Sequence, residues 1–368
     1  MYKDLKMIKK QTIGELFCGP GGLGYAAIKK NNCKHAWAID NDFDSCMTYA
    51  INVCDHKLTT DNKLPDSVMA KDVKKIDFKS LKKIDGLLFG FPCNDFSIVG
   101  EKKGIKGKYG GLYKYGVKCL EAHQPKWFLA ENVSGINNKK DNSAFIKIIN
   151  ELENVGYNVN VHKYKFEEYG VPQKRHRFIL VGFRKNLKIT FQPPLETHPK
   201  NFVSVEEALK DYHEYTKRKT ATHIEITKHS ENVKKRLAAT KPGENAWNAN
   251  IPKQYQLTGV KGARLSQIYK KLKGNEPSYT ITGSGGGGTH VYHWKENRAL
   301  TNREKAILQT FPLNYQFYGN KESVRKQIGM AVPMKGADII IRSIIKTLNK
   351  KNYKTSQKIT WSYNRELF

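Results

Sequence analysis

The chain has 368 residues, enough for one large domain and a smaller one, and carries 64 Lys and Arg against 34 Asp and Glu, a formal charge of +30. That excess points to a polyanionic partner, most simply nucleic acid, although a lysine- and asparagine-rich composition also makes part of the charge ordinary solvated surface. Six cysteines with neither a CxxC pair nor Cys/His ligand spacing argue against a disulfide framework or a structural zinc.

No stretch approaches the ~20 apolar residues of a membrane span. The basic start, Met1 to Lys10, leads into an apolar run that Glu15 interrupts too soon for a signal peptide. The expected location is the cytoplasm, or the nucleus in a host that has one, and no metal is expected.

From about Gln11 to Arg184, short apolar runs alternate with helical patterns, the mark of an α/β sheet with helices on its faces. Thr12–Phe17 predicts a strand, followed by Phe17-Cys18-Gly19-Pro20-Gly21-Gly22-Leu23-Gly24 and a helix over Gly22–Lys30. Glycines at a strand-to-helix turn let backbone approach a ligand and leave helix N–H groups facing it. Positions 19, 21 and 24 fit G-x-G-x-x-G, and Asp40, ending a strand over His35–Asp40, can accept from ribose hydroxyls. This pattern suits NAD as well as S-adenosylmethionine, and a tight turn without a ligand is the plain alternative.

A helix over Asp44–Val53 and a strand over Gly86–Phe91 come next. The strand delivers Pro92-Cys93-Asn94-Asp95-Phe96-Ser97 to a sheet edge, with the Cys93 thiol at its mouth. A buried structural cysteine is the commoner fate of such a residue. The segment Ile98–Gly111, rich in glycine and lysine, reads as a loop that could close over whatever the thiol attacks.

Helices over Leu112–Ala122 and Ser143–Asn154 flank a strand over Lys126–Val133, which carries Glu131 near its end, where α/β ligands bind. Strands over Tyr157–Tyr164 and Arg177–Phe183 predict an antiparallel pair at one sheet edge. Alternation through Gln173-Lys174-Arg175-His176-Arg177 would put both arginines on one face; a solvated basic turn is the bland reading.

Gln192-Pro193-Pro194 through Pro199 reads as a linker. To about Asn297 the alternation is lost among basic clusters (Lys217-Arg218-Lys219, Lys234-Lys235-Arg236, Lys270-Lys271), aromatics and the run Gly283-Ser284-Gly285-Gly286-Gly287-Gly288. The run is either a close-approach loop or a flexible turn. A helix over Asn302–Gln309 follows, with Thr301 and Glu304 as a capping box, then an amphipathic helix over about Pro333–Leu348.

Taken together these runs resemble the DNA cytosine-5 methyltransferase family, of the bacterial restriction-modification type. Phe17–Gly24 is similar to its first cofactor motif, Pro92–Ser97 to its nucleophile motif and Glu131-Asn132-Val133 to its acidic motif. Gln173–Arg177 is similar to its Q-x-R-x-R motif, Arg298–Pro312 to the motif after the recognition region, and Gly329-Met330-Ala331-Val332-Pro333 to the last motif. All six stand in family order. One departure is Met330, where the family commonly has asparagine.

The resemblance implies a Rossmann-like S-adenosylmethionine-dependent methyltransferase sheet (residues 1–192), a smaller irregular target-recognition domain (193–297) and a return to the catalytic domain (298–368). It implies a DNA (cytosine-5)-methyltransferase that flips a cytosine out of duplex DNA and methylates carbon 5 through a covalent Cys93 adduct, with Glu131, Arg175 and Arg177 in catalysis. S-adenosyl-L-methionine would be held by Phe17, Gly19, Gly21, Gly22, Leu23, Asp40, Asn41, Asp72, Val73, Pro92, Leu112, Ala331 and Val332. Candidate DNA contacts are Ser97, Ile98, Lys102 and Lys103 in the loop and Arg264, Thr282 and His290 in the recognition region, these last three also readable as structural or phosphate-binding. The expected partner is double-stranded DNA, with a cognate restriction endonuclease acting on the same site. The expected state is a monomer associated with the nucleoid. A tRNA cytosine-5 methyltransferase on the same scaffold and a catalytically inactive DNA-binding protein are the alternatives; a nicotinamide oxidoreductase is more distant, since nothing resembles a hydride-transfer acid or base.

Overall fold

The computed structural model describes residues 10–91, 111–133, 143–258, 266–283 and 287–358. Pro92, Cys93, Ser97, Ile98, Lys102, Lys103 and Arg264 lie outside the described residues. The chain forms two compact units, the first made of Met1–Lys165, His176–Glu196 and Gly336–Phe368, the second of Phe166–Arg175 and Thr197–Lys335.

In the first unit the elements run β1 (Thr12–Leu16), α1 (Gly22–Tyr25) continuing as a π-helical turn over Ala26–Lys30, β2 (Lys34–Asp40), α2 (Phe43–Val53), β3 (Val68–Ala70) and β4 (Gly86–Gly90). They continue with α3 (Tyr113–His123), β5 (Trp127–Val133), α4 (Ser143–Asn154) and β6 (Tyr157–Lys165). The two-residue β7 (Gln173–Lys174) belongs to the second unit, and β8 (His176–Arg184) returns to the first.

The sheet has seven strands in the order β3-β2-β1-β4-β5-β8-β6. Every neighbouring pair from β3 to β5 is parallel, whereas β8 runs antiparallel to both β5 and β6. Strands covered on both faces must be apolar along their whole length rather than alternately. Accordingly Leu87, Leu88 and Phe89 of β4 and Trp127 to Ala130 of β5 are fully buried. Helix α4 packs by one stripe, Phe145, Ile148, Ile149 and Leu152, at the spacing of a 3.6-residue period. After β8 the chain reaches 193–196 and meets its own C-terminal segment: Pro194 bridges Thr355, and Tyr353 Oη donates to Gln192 O at 2.7 Å.

Two differences from the expected elements have physical causes. Strand β3 is three residues long between polar stretches, too short to show a period. The π-helical turn carries the first helix only as far as Lys30 by widening, so Gly22–Lys30 is helical without being one α-helix.

The second unit holds short elements: α5 (Val205–Ala208), α6 (Tyr212–Thr216), α7 (Glu231–Ala239), β9 (Ser278–Tyr279) parallel to β7, α8 (Asn302–Leu308) and α9 (Lys321–Met330). Its core gathers Val205, Leu209, Leu272, Ile281, Val291, Leu300 and Leu308, with a second cluster at Leu237, Tyr269, Tyr292 and Ala299. Helix α8 begins with the expected capping box between Thr301 and Glu304. Arg303 is fully buried, its guanidinium 5.3 Å from the Tyr215 ring centre and 5.7 Å from that of Phe317, and it donates to Thr222 Oγ1 at 2.7 Å.

This unit is larger than the expected 193–297 segment, because it also takes in 166–175 and 298–335. The buried side chain of Gln173 explains why: its Nε2 donates to Gln309 Oε1 at 3.1 Å and its Oε1 accepts from Ile281 N at 2.9 Å. Helix α10 (Met334–Leu348) then leads back to the first unit. Among the described residues, no helix is long and apolar enough to cross a membrane.

Candidate active site

The glycine turn after β1 is built on left-handed backbone. Phe17 has φ 55°, Gly19 51° and Gly21 96°, the last capping the N-terminus of α1. Only glycine takes such angles without strain, which is why the segment reads as it does and why Phe17 stands out. A Cβ built on Gly19 meets nothing within 4 Å, so the backbone there borders open space. The N-cap residue Gly21 supplies no side-chain cap to α1.

Asp40, at the C-terminal end of β2, faces this turn. Its Oδ2 accepts from Gly19 N at 2.8 Å and its Oδ1 from Asp42 N at 3.0 Å. Burial pushes the carboxyl above its ordinary value, and the backbone donors at Asp42 and Gly19 work against that shift. Nearby, Asp72 accepts from Lys74 N at 3.0 Å and starts a short 3-10 turn with Val73 buried behind it; Asn41 is exposed and Leu112 half-buried. The turn, the open space at Gly19 and the acidic strand end form a cradle that fits an adenosine-bearing cofactor with ribose hydroxyls.

Beneath this turn lies a residue that motif reading passed over. Glu15 of β1 is 2 % exposed and accepts hydrogen bonds from the Tyr49 hydroxyl and the Gly24 backbone. Its Oε2 has no hydrogen-bond partner among the described residues. Burial first, and the charge of Asp40 last, push its carboxyl up to about 8, against the two hydrogen bonds that lower it. An acid inside an apolar strand, directly before a glycine turn, was the available signal.

A second cluster stands at the C-terminal ends of β4 and β5. Register pairs Gly90 with Glu131, and a Cβ on Gly90 would lie 3.4 Å from Glu131 Oε2. Thus the carboxylate sits beside the strand end that leads, three residues on, to Cys93. Arg177 of β8 holds it: Nε is 2.9 Å from Glu131 Oε1, with both side chains nearly buried. Asn132 is fully buried and donates from Nδ2 to Phe91 O at 3.3 Å, fixing the strand exit from the other side.

The two arginines do not share one continuous strand. Between β7 and β8 the backbone folds tightly, with Arg175 N donating to Gln173 O at 2.9 Å, and the alternation expected there is broken. Arg175 is 2 % exposed, and its Nη1 donates to Ile281 O at 3.0 Å within the second unit.

Other expected residues of the second unit fall as follows. Ala331 and Val332 are buried just past α9, and Met330 is 60 % exposed. Thr282 is exposed, and its backbone runs against α9: a Cβ on Gly329 would strike Thr282 C and Gly283 N at 2.1 Å. Gly283 likewise sits on Lys326 O, so at Gly283 the close-approach reading describes the contact, while residues 284–286 lie outside the described residues. His290 is half-buried, with its ring centre 6.1 Å from that of His229.

The profile of the C-5 cytosine-specific DNA methylase family matches residues 11–346. The type II methyltransferase M.BbvI of Brevibacillus brevis is 48% identical over 357 residues, covering 92% of this chain and 92% of that protein. M.NgoFVII of Neisseria gonorrhoeae is 35% identical, covering 91% of this chain and 87% of its own length. Among solved structures, a DNA modification methyltransferase encoded within an E. coli prophage superposes with a TM-score of 0.68 at 23% identity, over 92% of this chain and 99% of that one.

Proposed function

From the premise that the chain belongs to the C-5 cytosine-specific DNA methylase family and is an S-adenosyl-L-methionine-dependent DNA (cytosine-5)-methyltransferase, we propose that Cys93, Glu131, Arg175 and Arg177 carry the chemistry. The observation that carries this reading is the Glu131–Arg177 pair at 2.9 Å, beside the strand end that leads to Cys93.

Cytosine carbon 5 is a poor nucleophile until the ring's conjugation is broken. The Cys93 thiolate adds to carbon 6, and the electron pair of the C5–C6 bond moves to carbon 5. Glu131 holds a proton at ring nitrogen 3 to stabilise the charge that develops there, and Arg177 keeps its carboxylate in place. Arg175 takes the base's carbonyl oxygen. When bound, S-adenosyl-L-methionine supplies an electrophilic methyl on a sulfonium, with Asp40 and the Phe17–Leu23 turn as its cradle. A water molecule then takes the carbon 5 proton, the C5–H electron pair re-forms the C5–C6 double bond, and the C6–S bond breaks with its pair returning to Cys93 as thiolate.

A base inside a duplex is out of reach of these groups, so the cytosine is flipped out, with Lys102 and Lys103 at the backbone. Residues 193–297 form the target-recognition region, whose cations hold phosphates while a few side chains read base edges. The protein acts as a cytoplasmic monomer and shares its site with a cognate restriction endonuclease.

Bisulfite sequencing of DNA from cells expressing the chain reads the methylated site. A duplex with 5-fluorocytosine at that site should then trap the protein covalently, because fluorine does not leave as a proton does. Cys93→Ser should bind the duplex without trapping or methyl transfer. Retained methyl transfer in that variant would remove Cys93 from the mechanism.

A further inference from the structure

Helix α8 ends on Gln309, whose side chain has no place in the chemistry above. Gln309 and Gln173 are both fully buried, and their amides stand in line. Gln309 Nε2 donates at 2.7 Å to Ile328 O, one of the last carbonyls of α9, which that helix cannot satisfy by itself. Gln309 Oε1 accepts from Gln173 Nε2 at 3.1 Å, and Gln173 Oε1 accepts from Ile281 N at 2.9 Å. Ile281 O in turn accepts from Arg175 Nη1 at 3.0 Å. All of these residues belong to the second unit.

The direction of this chain of bonds is fixed at both ends. A backbone N–H can only donate and a backbone carbonyl can only accept. Ile281 N therefore dictates which end of the Gln173 amide faces it, and Ile328 O does the same for Gln309. Turning either amide over would set donor against donor and acceptor against acceptor in a site closed to water, where unmet polar groups are costly.

Beyond the short pairing of β7 with β9, side chains take over from the backbone ladder. Gln173 grips Ile281 by its N–H and Arg175 grips it by its carbonyl, while Thr280 Oγ1 donates to Lys174 O at 2.7 Å. The Arg175 guanidinium is thus placed by the Ile281 backbone, which Gln173 holds, and Gln173 is oriented by Gln309. Capping α9 needs only the amide hydrogens of Gln309; its oxygen, aimed at Gln173, extends the order to Arg175.

We propose that Gln309 is a positioning residue for methyl transfer, acting through Gln173 and the Ile281 backbone to hold the Arg175 guanidinium. The inference rests on the role given to Arg175 above and extends it to a side chain whose hydrogen bonds run into the protein's own interior.

The test is single-turnover methyl transfer by the full chain, with labelled S-adenosyl-L-methionine and a duplex carrying the site found by bisulfite sequencing, both saturating. Rates are taken well below the lowest melting temperature of the set. Gln309→Leu should slow the chemical step about tenfold through the lost hydrogen bonds, with duplex affinity by fluorescence anisotropy nearly unchanged. Gln309→Glu separates position from stability. Protonated, it offers one O–H to Ile328 O and a carbonyl to Gln173, and burial keeps it protonated above the usual carboxylate range. It should run near the wild-type rate at about pH 6 and lose that rate as rising pH ionises it, a fall that wild type does not show.

Arg175→Lys, alone and with Gln309→Leu, completes a double-mutant cycle. If Gln309 acts through Arg175, the double variant should be no slower than Arg175→Lys alone. Wild-type turnover in Gln309→Leu overturns the proposal, as do rate losses that multiply in the double variant. Should Arg175→Lys be too slow to follow, the cycle is run with Gln173→Leu, where multiplied losses count against the proposal equally. Wild-type turnover in Arg175→Lys is a separate failure: it removes Arg175 from the chemistry and leaves Gln309 nothing to position.

Discussion

Glu15→Gln should make the first unit more stable at neutral and alkaline pH and leave it nearly unchanged in acid. The carboxyl stands at 4.5 ordinarily and at about 8 in the fold, where burial outweighs its bonds to Tyr49 and Gly24. Below pH 4.5 the group is protonated in both folded and unfolded chains and contributes no penalty. Between 4.5 and 8 the unfolded chain ionises while the folded one keeps its proton, so stability falls as pH rises. Above pH 8 the penalty is complete, on the order of 5 kcal/mol at most. Glutamine resembles the protonated acid: its carbonyl can accept from Tyr49 and Gly24, and its amide takes the place of the unpartnered Oε2. Urea unfolding of both proteins at pH 5 and pH 8.5 isolates the effect, because other titrating groups cancel in the difference. The variant's advantage should be small at pH 5 and amount to several kcal/mol at pH 8.5. Parallel stability curves would refute the claim that Glu15 is held protonated under the turn.

Asp40→Ala should weaken S-adenosylhomocysteine binding by roughly 1.5–3 kcal/mol, the worth of charge-assisted hydrogen bonds, measured by isothermal titration calorimetry. An unchanged affinity would mean the carboxylate serves only Gly19 and Asp42. Arg177→Met should cost about 3–5 kcal/mol of stability by leaving the Glu131 carboxylate nearly buried without its counter-ion. It should also lower the rate of methyl transfer in single-turnover assays. Wild-type turnover in that variant would show that Glu131 needs no such support.

The parts of the fold that were legible are those with strong local signals. Leu87-Leu88-Phe89 and Phe128-Leu129-Ala130 are continuous apolar runs, as strands buried on both faces must be. Phe145, Ile148, Ile149 and Leu152 mark α4 by period, and Thr301 with Glu304 marks the start of α8. Helix α9 was not legible, because only Val324, Gln327, Ile328 and Gly329 are buried in a polar segment. Nor could pattern show that the strand alternation is interrupted here: the break lies in a tight turn after a two-residue strand, whose pairing with Ser278–Tyr279 is distant in sequence. At the site, Glu131 and Asp40 were visible as acids at strand ends. Glu15 was hidden because a single acid in an apolar run looks like noise until the fold closes water away from it.

The chain leaves the first unit and re-enters it twice: between Lys165 and His176, which pair across β6 and β8, and between Glu196 and Gly336. Synthesis therefore meets an ordering problem. When β8 emerges from the ribosome, the sheet can zip, yet the excursion 166–175 must wait for Ile281 and Gln309 before Gln173 finds its partners. The segment facing 193–196 is Tyr353 to Ser356, almost the last described stretch to be made. A fragment cut at the linker would thus be short of something in either direction: 197–335 would lack Gln173 and Arg175, and 1–196 would lack α10. Neither fragment would hold all the contacts of its unit, so an exchange of 197–335 between relatives has to carry the excursion 166–175 along with it.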